Sequence, residues 1–266
     1  MILSRKAQNI GASLTLALTA KAGELKKEGI DVVSFGVGEP DFNTPKNIIE
    51  AATRAMEEGN TKYTATSGIV ELKEVIAKKL HDDNGLNYGT KNIIISTGAK
   101  QSLANVFMAI LNPGDEVIIP VPYWVSYPEL VKLSDGVPVF IETKKENDFK
   151  VTYDELKSVL SKNTKAIVIN SPNNPTGTVY SKKDLEVIAK FAEENDLIII
   201  SDEIYEKLIY GKEEHISIAS LSEDAFKRTV VINGFSKAYA MTGWRIGYAA
   251  CYNEELIKVM NNVQSH

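Results

Sequence analysis

Cysteine and histidine are scarce in this chain, and their scarcity removes two common kinds of site. The single cysteine, Cys251, has no second cysteine with which to form a disulfide in the chain, so nothing points to an oxidising compartment. The three histidines, His81, His215 and His266, do not show the spacing of a metal-binding motif. We therefore predict no metal site.

Long apolar runs and clusters of positive charge are also missing. No stretch approaches the length of a membrane span, and the run 14–20, which faintly resembles the core of a signal peptide, contains Thr15 and Thr19. The net charge of −5, with lysine and arginine scattered among acids, argues against a nucleic-acid partner. The composition predicts a globular protein of the cytoplasm without a membrane partner.

Apolar runs rich in β-branched residues alternate with amphipathic stretches along almost the whole chain. Several runs lack polar alternation, which is typical of strands buried on both faces. The runs are 32–35, 93–97, 117–120, 137–141, 166–170, 197–201, 230–233 and 246–250, and helical patterns cover 45–58, 69–84, 101–111, 153–160, 181–195 and 253–266. This alternation predicts an α/β fold with a mostly parallel sheet flanked by helices.

Ligands of open α/β sheets gather beyond the carboxyl ends of the strands, so the residues after each run are the candidates for chemistry. Asp202 and Tyr205 follow one run, where a buried carboxylate could pair with a ligand or could cap the next helix. Lys237 follows another run and could be a desolvated amine suited to Schiff-base chemistry, or an ordinary surface lysine. Arg245, further on, could grip a phosphate.

Three more loops follow strand-like runs. The turn Gly98-Ala99-Lys100 opens a helix and aims backbone N–H groups at an anion. Asn174 could present a fixed amide, although such a loop can equally be a plain surface turn, and Trp124 could stack on a flat ring or pack in the core. An amine, a carboxylate, an aromatic ring and a phosphate cradle are together what pyridoxal 5'-phosphate requires.

Three motifs stand in the order found in one known family. They are Ser236-Lys237 through Gly243-Trp244-Arg245-Ile246-Gly247, Asn173-Asn174-Pro175-Thr176-Gly177 and Gly38-Glu39-Pro40-Asp41-Phe42. With them the chain resembles the fold-type I, class I/II aminotransferases, particularly those of the bacterial aspartate aminotransferase type. The resemblance implies a pyridoxal-phosphate-binding large domain with a mostly parallel seven-stranded sheet over residues 45–266. Residues 1–44 would form an N-terminal arm and part of a small domain.

The same resemblance implies an enzyme that moves an amino group between an L-amino acid and a 2-oxo acid, with aspartate and 2-oxoglutarate as the expected pair. Lys237 would form an aldimine with pyridoxal phosphate and carry the proton at the substrate α-carbon, and Asp202 would pair with the pyridine nitrogen. Asn174 and Tyr205 would hydrogen-bond the phenolic oxygen, and Trp124 would stack on the ring. The expected phosphate contacts are Gly98, Ala99, Lys100, Ser236 and Arg245.

The substrate and subunit contacts are also implied by the resemblance. Gly38 matches a loop that contacts the substrate carboxylate, and Thr15 and Lys100 match positions that help to recognise an acidic side chain. Trp124 and Asn174 would touch the substrate as well as the cofactor. Tyr63 matches a tyrosine that reaches the phosphate of the neighbouring subunit, which implies a homodimer.

The helical pattern that begins at Asn253 stops at His266 without a glycine cap or a proline, as in a chain cut short. Family members continue into the rest of the small domain, which carries the arginine that grips the substrate α-carboxylate. No residue of this chain matches that arginine. The chain as given is therefore expected to bind cofactor but to catalyse poorly.

Three alternatives remain open. A pyridoxal-phosphate-dependent carbon–sulfur lyase or a cyclopropane-carboxylate synthase would use the same scaffold. Tyr153 and Lys157 have the spacing of a short-chain dehydrogenase, but the glycine-rich turn of that class is missing. A non-catalytic binding protein or cofactor-binding fragment is the third alternative, although the lysine, aspartate and phosphate residues are all present.

Overall fold

The computed structural model describes residues 2–36 and 38–266. The helices are α1 (Arg5–Gln8), α2 (Leu14–Lys27), α3 (Lys46–Glu57), α4 (Val70–Asn84), α5 (Ala99–Ile110), α6 (Ser126–Leu133), α7 (Tyr153–Val159), α8 (Lys182–Glu194), α9 (Glu223–Arg228) and α10 (Glu254–Gln264). The strands are β1 (Ile93–Ser96), β2 (Glu116–Val121), β3 (Val137–Glu142), β4 (Thr164–Asn170), β5 (Ile198–Asp202), β6 (Thr229–Gly234) and β7 (Gly247–Cys251). Short 3₁₀ helices cover Thr90–Asn92, Lys145–Asn147 and Ile218–Ser220.

The seven strands form one sheet in the order β1-β7-β6-β5-β4-β2-β3. Neighbours from β6 through β3 are parallel, whereas β7 is antiparallel to both β1 and β6. The predicted α/β fold with a mostly parallel seven-stranded sheet is confirmed. Because β1 and β6 both run opposite to β7, the loops that follow them meet the loop that enters β7 at one edge of the sheet.

Helices cover both faces of the sheet. On one face, Phe107 of α5 and Val131 of α6 share a core with Ile200 of β5. On the other, Phe191 of α8 packs with Ile199 of β5. Since successive side chains of a strand point to opposite faces, the even-numbered residues of β5 face α5 and α6, and the odd-numbered ones face the opposite layer. This alternation also sets where the two acidic residues at the end of β5 point.

The predicted strand at 32–35 is wrong. This segment has no regular secondary structure, and Val33 and Phe35 are 76% and 96% exposed. A β-branched run becomes a strand only where a neighbouring strand can accept its hydrogen bonds, and none of the described strands pairs with this segment. Conversely, the short helices α1, α6 and α9 were not predicted, and the apolar run 14–20 lies in the helix α2.

In the part of the chain that the structure describes, no helix combines the length and the apolar character that crossing a membrane requires. The location of the protein in the cell stays a prediction from composition.

Candidate functional site

A cleft of about 660 Å³ opens at the carboxyl edge of the sheet, between the ends of β4, β5 and β6, the start of α5 and the N-terminal segment. Most of the residues predicted from the sequence line it. They are Thr15, Gly38, Ala99, Lys100, Trp124, Asn174, Asp202, Tyr205, Ser236, Lys237 and Arg245. The fold therefore gathers in one place side chains that are scattered over most of the chain.

Asp202 ends β5 and is only 3% exposed. The hydroxyl of Tyr127 donates to its Oδ2 at 2.7 Å, and the backbone N–H of Ile204 donates to its Oδ1 at 3.2 Å. Burial raises the pKa of Asp202 to about 6, although both donors and the ammonium of Lys237 act in the opposite direction. A positively charged partner in the cleft would shift this carboxyl to its ionised form.

Lys237 lies in the loop after β6, and its side chain is half-buried. Its ammonium donates to the backbone carbonyl of Gly38, so the segment that begins at Gly38 closes over the lysine. The Nζ atom lies 5.6 Å from the centre of the Tyr205 ring. Burial lowers the pKa of Lys237, the charge of Arg245 lowers it further, and Glu39 and Asp202 oppose the shift. A lowered pKa enlarges the neutral, nucleophilic fraction of an amine.

Asn174 and Tyr205 form a pair of polar groups beside Asp202. The Asn174 side-chain amide donates to the Tyr205 hydroxyl at 3.2 Å. Asn170, the last residue of β4, fixes this pair to the sheet. Its Oδ1 accepts from the backbone N–H of Asn174 at 2.7 Å, and its Nδ2 donates to the backbone carbonyl of Asp202 at 2.9 Å. Two hydrogen-bond donors are thereby held at a defined place in the cleft.

The N-terminus of α5 and the guanidinium of Arg245 meet at one end of the cleft. Gly98 precedes the helix with φ +85°, and a Cβ atom there would lie 2.3 Å from Nη2 of Arg245, so glycine is what allows the approach. Arg245 has φ +60°, and its Nη1 donates to the carbonyl of Thr242 at 2.7 Å. The first N–H groups of a helix have no partner within the helix, so this end suits an anion.

Ser236, beside Lys237, is only 8% exposed, and its backbone carbonyl accepts from the N–H of Met241 at 3.0 Å. This bond ties the lysine loop to the turn that leads to Arg245. The loop therefore places a hydroxyl, an amine and a guanidinium along one wall.

Trp124 also lines the cleft. Its ring meets the ring of Tyr127 edge to face, with centroids 5.4 Å apart. The ammonium of Lys100 lies 4.9 Å from the centre of the Trp124 ring, within the range of a cation–π contact. The indole is thus held from two sides.

Two predicted residues stand apart from the lining of the cleft. Gly98 lies behind the lining, against Arg245, as its closeness to the guanidinium shows. Tyr63 is fully exposed, at 107%, and does not line the cleft. Its role toward a neighbouring subunit stays a prediction.

Tyr127 and Asn170 line the cleft but were missed in the sequence. Asn170 ends an apolar run, as Asp202 does, so its position after a strand was a usable signal. No sequence signal marks Tyr127, because it lies in α6, a helix too short to show a clear apolar period.

A second cluster lies behind Asp202, on the opposite face of the sheet. It consists of Glu203, Glu206, His215 and Lys79, here called the back-side network. Nε2 of His215 lies 3.0 Å from Glu203 Oε2 and 4.0 Å from Glu206 Oε2, and the ammonium of Lys79 pairs with Glu206. The other Glu203 oxygen accepts from the hydroxyls of Ser201 and Ser217, at 2.8 and 2.7 Å.

In the cleft the pKa of the carboxyl is raised and that of the amine is lowered, whereas in the back-side network the pKa of the carboxyl of Glu203 is lowered and that of His215 is raised. Burial alone would raise the pKa of Glu203, but the charge and hydrogen bond of His215 and the two serine hydroxyls outweigh it and lower the pKa. Burial alone would lower the pKa of His215, but Glu203 and Glu206 raise it. Ligand atoms of Glu203, Glu206 and His215 lie within 4.8 Å of one another, a spacing that a metal ion could bridge. Lys79 and His215 already supply cationic partners, and the absence of a metal stays a prediction.

Comparison with known proteins places this geometry in a family. The sequence pattern of the family described as "Aminotransferase class I and II" matches residues 30–266. An aspartate aminotransferase of Bacillus sp. (strain YM-2) is 54% identical over 265 residues, which cover 100% of this chain and 67% of that protein. One of Bacillus subtilis (strain 168) is 53% identical over 266 residues, with the same coverage. A solved aspartate aminotransferase of Thermus thermophilus with maleate has a TM-score of 0.96 at 48% identity, covering 100% of this chain and 68% of that one.

The chain belongs to the class I and II aminotransferase family. The predictions of the family, of its fold and of an aminotransferase enzyme are confirmed. The chain spans about two thirds of the length of the relatives it matches, with 67% of both Bacillus proteins covered.

Proposed function

We propose that the protein is a pyridoxal-phosphate-dependent aminotransferase that acts on an acidic amino acid, with aspartate as donor and 2-oxoglutarate as acceptor. One observation carries the proposal. The amine of Lys237 and the buried carboxyl of Asp202, which follow neighbouring strands of the sheet, face the same cleft. A lysine and a buried carboxyl in one cleft are the pair that pyridoxal chemistry needs.

The residues of the cleft fit this cofactor. Its aldehyde needs an amine, its pyridine nitrogen a carboxylate, its phenolic oxygen hydrogen-bond donors, its ring a flat apolar wall and its phosphate an anion site. Lys237, Asp202, the Asn174–Tyr205 pair, Trp124 and the end formed by Arg245 with α5 match these needs in turn. When bound, the cofactor supplies an electron sink for the substrate α-carbon.

The residues of this chain supply binding, orientation and proton transfer. Arg245, Ser236 and the first N–H groups of α5 would hold the phosphate, and Trp124 would offer a flat surface to the ring. Asn174 and Tyr205 hold the phenolic oxygen through the positions set by Asn170. The carboxylate of Asp202 would stabilise positive charge on the ring nitrogen. Lys237 would carry the proton between the substrate α-carbon and the cofactor, which a lowered pKa favours.

The acidic substrate is inferred from charge and from the relatives. Thr15 and Lys100 line the cleft, so the cleft offers a positive charge and a hydroxyl to a side-chain carboxylate besides the end assigned to the phosphate. The Bacillus relatives are named aspartate aminotransferases, and the Thermus structure was solved with maleate, a dicarboxylate. These names support aspartate as the donor.

The proposal extends to assembly and to domains. Tyr63 is fully exposed and matches the position expected to reach a second subunit, which supports a homodimer. Residues 45–266, which include the whole sheet, would be the cofactor-binding large domain, and residues 1–44 the arm and part of the small domain.

Cofactor trapping tests the proposal. The chain is mixed with pyridoxal phosphate, its absorbance is recorded, and borohydride reduction is followed by peptide mapping. We expect a visible band and label on Lys237. In Lys237→Ala the covalent label should be lost while weaker, phosphate-driven binding remains, and in Lys258→Ala, a control at an exposed lysine, the label should persist.

Label on another lysine, or an unchanged label in Lys237→Ala, would contradict the assignment. Product analysis then tests the reaction. Release of pyruvate and ammonia without a 2-oxo acid acceptor would indicate a carbon–sulfur lyase instead.

A further inference from the structure

Tyr127 holds the carboxyl that the proposed function assigns to the cofactor ring. Its hydroxyl is the one side-chain donor to Asp202 among the hydrogen bonds of the described residues, at 2.7 Å. The ring is 2% exposed and belongs to the core between α5, α6 and the sheet. The same ring meets Trp124 edge to face. Tyr127 thus contacts two residues that line the cleft.

We propose that Tyr127 is a positioning residue, whose hydroxyl keeps the Asp202 carboxylate ionised and aimed into the cleft and whose ring fixes Trp124. The inference rests on the proposed function, because Asp202 needs a charge only if it pairs with a cationic ring nitrogen.

Opposing influences act on Asp202, and Tyr127 shifts their balance. Burial favours the neutral acid, and the negative charge of Glu203, next in the chain, acts in the same direction. The hydroxyl of Tyr127, the N–H of Ile204 and the ammonium of Lys237 favour the anion. Burial already outweighs these groups, so without the hydroxyl the pKa of Asp202 would rise further and the carboxyl would stay protonated to a higher pH. A protonated Asp202 cannot stabilise positive charge on the cofactor.

Tyr127 remains a donor at every pH at which an enzyme works. Burial raises its pKa well above that of a free tyrosine, and the charge of Asp202 raises it further. The neighbouring Tyr205 hydroxyl also has a raised pKa, through burial and then through Asp202, so neither tyrosine competes for the negative charge. The proton of the Tyr127–Asp202 pair therefore sits on the phenol, and the carboxylate accepts it as a hydrogen bond.

The test measures the titration of Asp202 in the cofactor-free chain. Aspartate carboxyl carbons are labelled with carbon-13, the Asp202 signal is assigned by Asp202→Asn, and its midpoint is followed by NMR. Tyr127→Phe removes only the hydroxyl and keeps the ring against Trp124. We expect the midpoint to rise by about one pH unit or more, since a hydrogen bond to a charged group is lost.

A matched control uses another buried tyrosine. Tyr88 is 7% exposed, and its hydroxyl has no hydrogen-bond partner within residues 2–36 and 38–266. Tyr88→Phe should leave the Asp202 midpoint unchanged. A fluorinated tyrosine at position 127, which is a stronger donor, should lower the midpoint and provides a second measurement if Tyr127→Phe fails to fold. Equal midpoints in wild type and Tyr127→Phe, or no response to the fluorinated residue, would overturn the proposal.

The holoenzyme supplies an independent readout. Tyr127→Phe should lower kcat about tenfold while KM for the amino donor stays unchanged, because the substrate contacts remain intact. A larger KM with an unchanged kcat would contradict a positioning role. If the wild type shows no covalent trapping on Lys237, the proposed function is refuted. The effect of Tyr127 on the titration of Asp202 would still stand or fall by the NMR measurement, so the two failures are distinguishable.

Discussion

Asp202 and Glu203 are adjacent in the chain and both are buried, but their pKa values are shifted in opposite directions. They are 3% and 1% exposed, yet burial raises the pKa of Asp202 whereas the surroundings of Glu203 lower its pKa. Successive residues at a strand end point to opposite faces, so one carboxyl faces the cleft and the other faces the back-side network. Burial alone therefore does not decide the charge of a carboxyl in this protein.

The difference lies in the partners. Glu203 has a histidine and two serine hydroxyls, so its ion pair is complete within the chain. Asp202 has one hydroxyl, one backbone N–H and a lysine at longer range. A buried charge without a full set of partners costs free energy until a ligand supplies the missing one. We therefore expect the back-side network to matter for the stability of the fold, whereas under the proposed function the carboxyl on the cleft side gains its missing partner from a ligand.

Loss of the Asp202 charge should have the largest effect, and it acts on the rate. We expect Asp202→Asn to slow half-transamination by about 10²- to 10³-fold, the typical cost of losing one electrostatic contact in an active site. Glu203→Gln is the matched change on the other face of the sheet. The fraction of this variant that folds should transaminate at nearly the wild-type rate. Stopped-flow absorbance with aspartate measures both, and similar losses in the two variants would break the comparison.

Removal of Glu203 should have the larger effect on stability. Glu203→Ala leaves His215 and two serines without their acceptor, and breaking a buried ion pair costs about 3–5 kcal/mol of unfolding free energy. Asp202→Asn should cost far less, because it removes a carboxyl that burial already disfavours. Urea unfolding of the cofactor-free chains at neutral pH gives both values, and equal losses would count against the distinction.

The pH dependence of stability should have opposite signs for the two carboxyls. The pKa of Asp202 is raised in the folded protein. Its contribution to the free energy of unfolding is therefore fully present below the ordinary pKa of an aspartate and is lost as the pH rises to about 6. Glu203 has a lowered pKa, so its contribution is present above its ordinary value and is lost as the pH falls. The raised pKa of His215 makes its own contribution fade as the pH rises through that value.

Unfolding of the cofactor-free chain in urea at several pH values measures these contributions. The stability of the wild type relative to Asp202→Asn should fall by on the order of 3 kcal/mol between about pH 4 and 6 and then level off. The stability relative to Glu203→Gln should instead fall as the solution is acidified below about pH 4. A flat difference in either comparison would contradict the assigned direction.

Several residues of the cleft were predictable, because they follow apolar runs that have their own signal. Asp202, Lys237 and Asn174 come shortly after β5, β6 and β4, and parallel strands bring such ends together. Arg245 reaches the same edge because β7 runs antiparallel. The segment 32–35 misled for the complementary reason, since its composition suits a strand but no described strand pairs with it.

The partners of these residues were not predictable from spacing. His215 showed no metal-binding or catalytic pattern, yet it lies against Glu203 on the back face. Tyr127 reaches Asp202 across 75 residues of sequence, from a helix of 8 residues. No periodicity relates such pairs, because the contact depends on how a helix packs over a strand end.

The sequence by itself determined the α/β alternation and pointed to candidate residues of the cleft, since hydrophobic period and position after a strand are local properties of the chain. Only the tertiary structure decided that Asp202 and Glu203 face different environments, that Tyr127 and Asn170 hold the cleft residues in place, and that Lys237 lies under Gly38. Those outcomes depend on distances between residues far apart in the chain, and burial and charge act on pKa and stability through such distances.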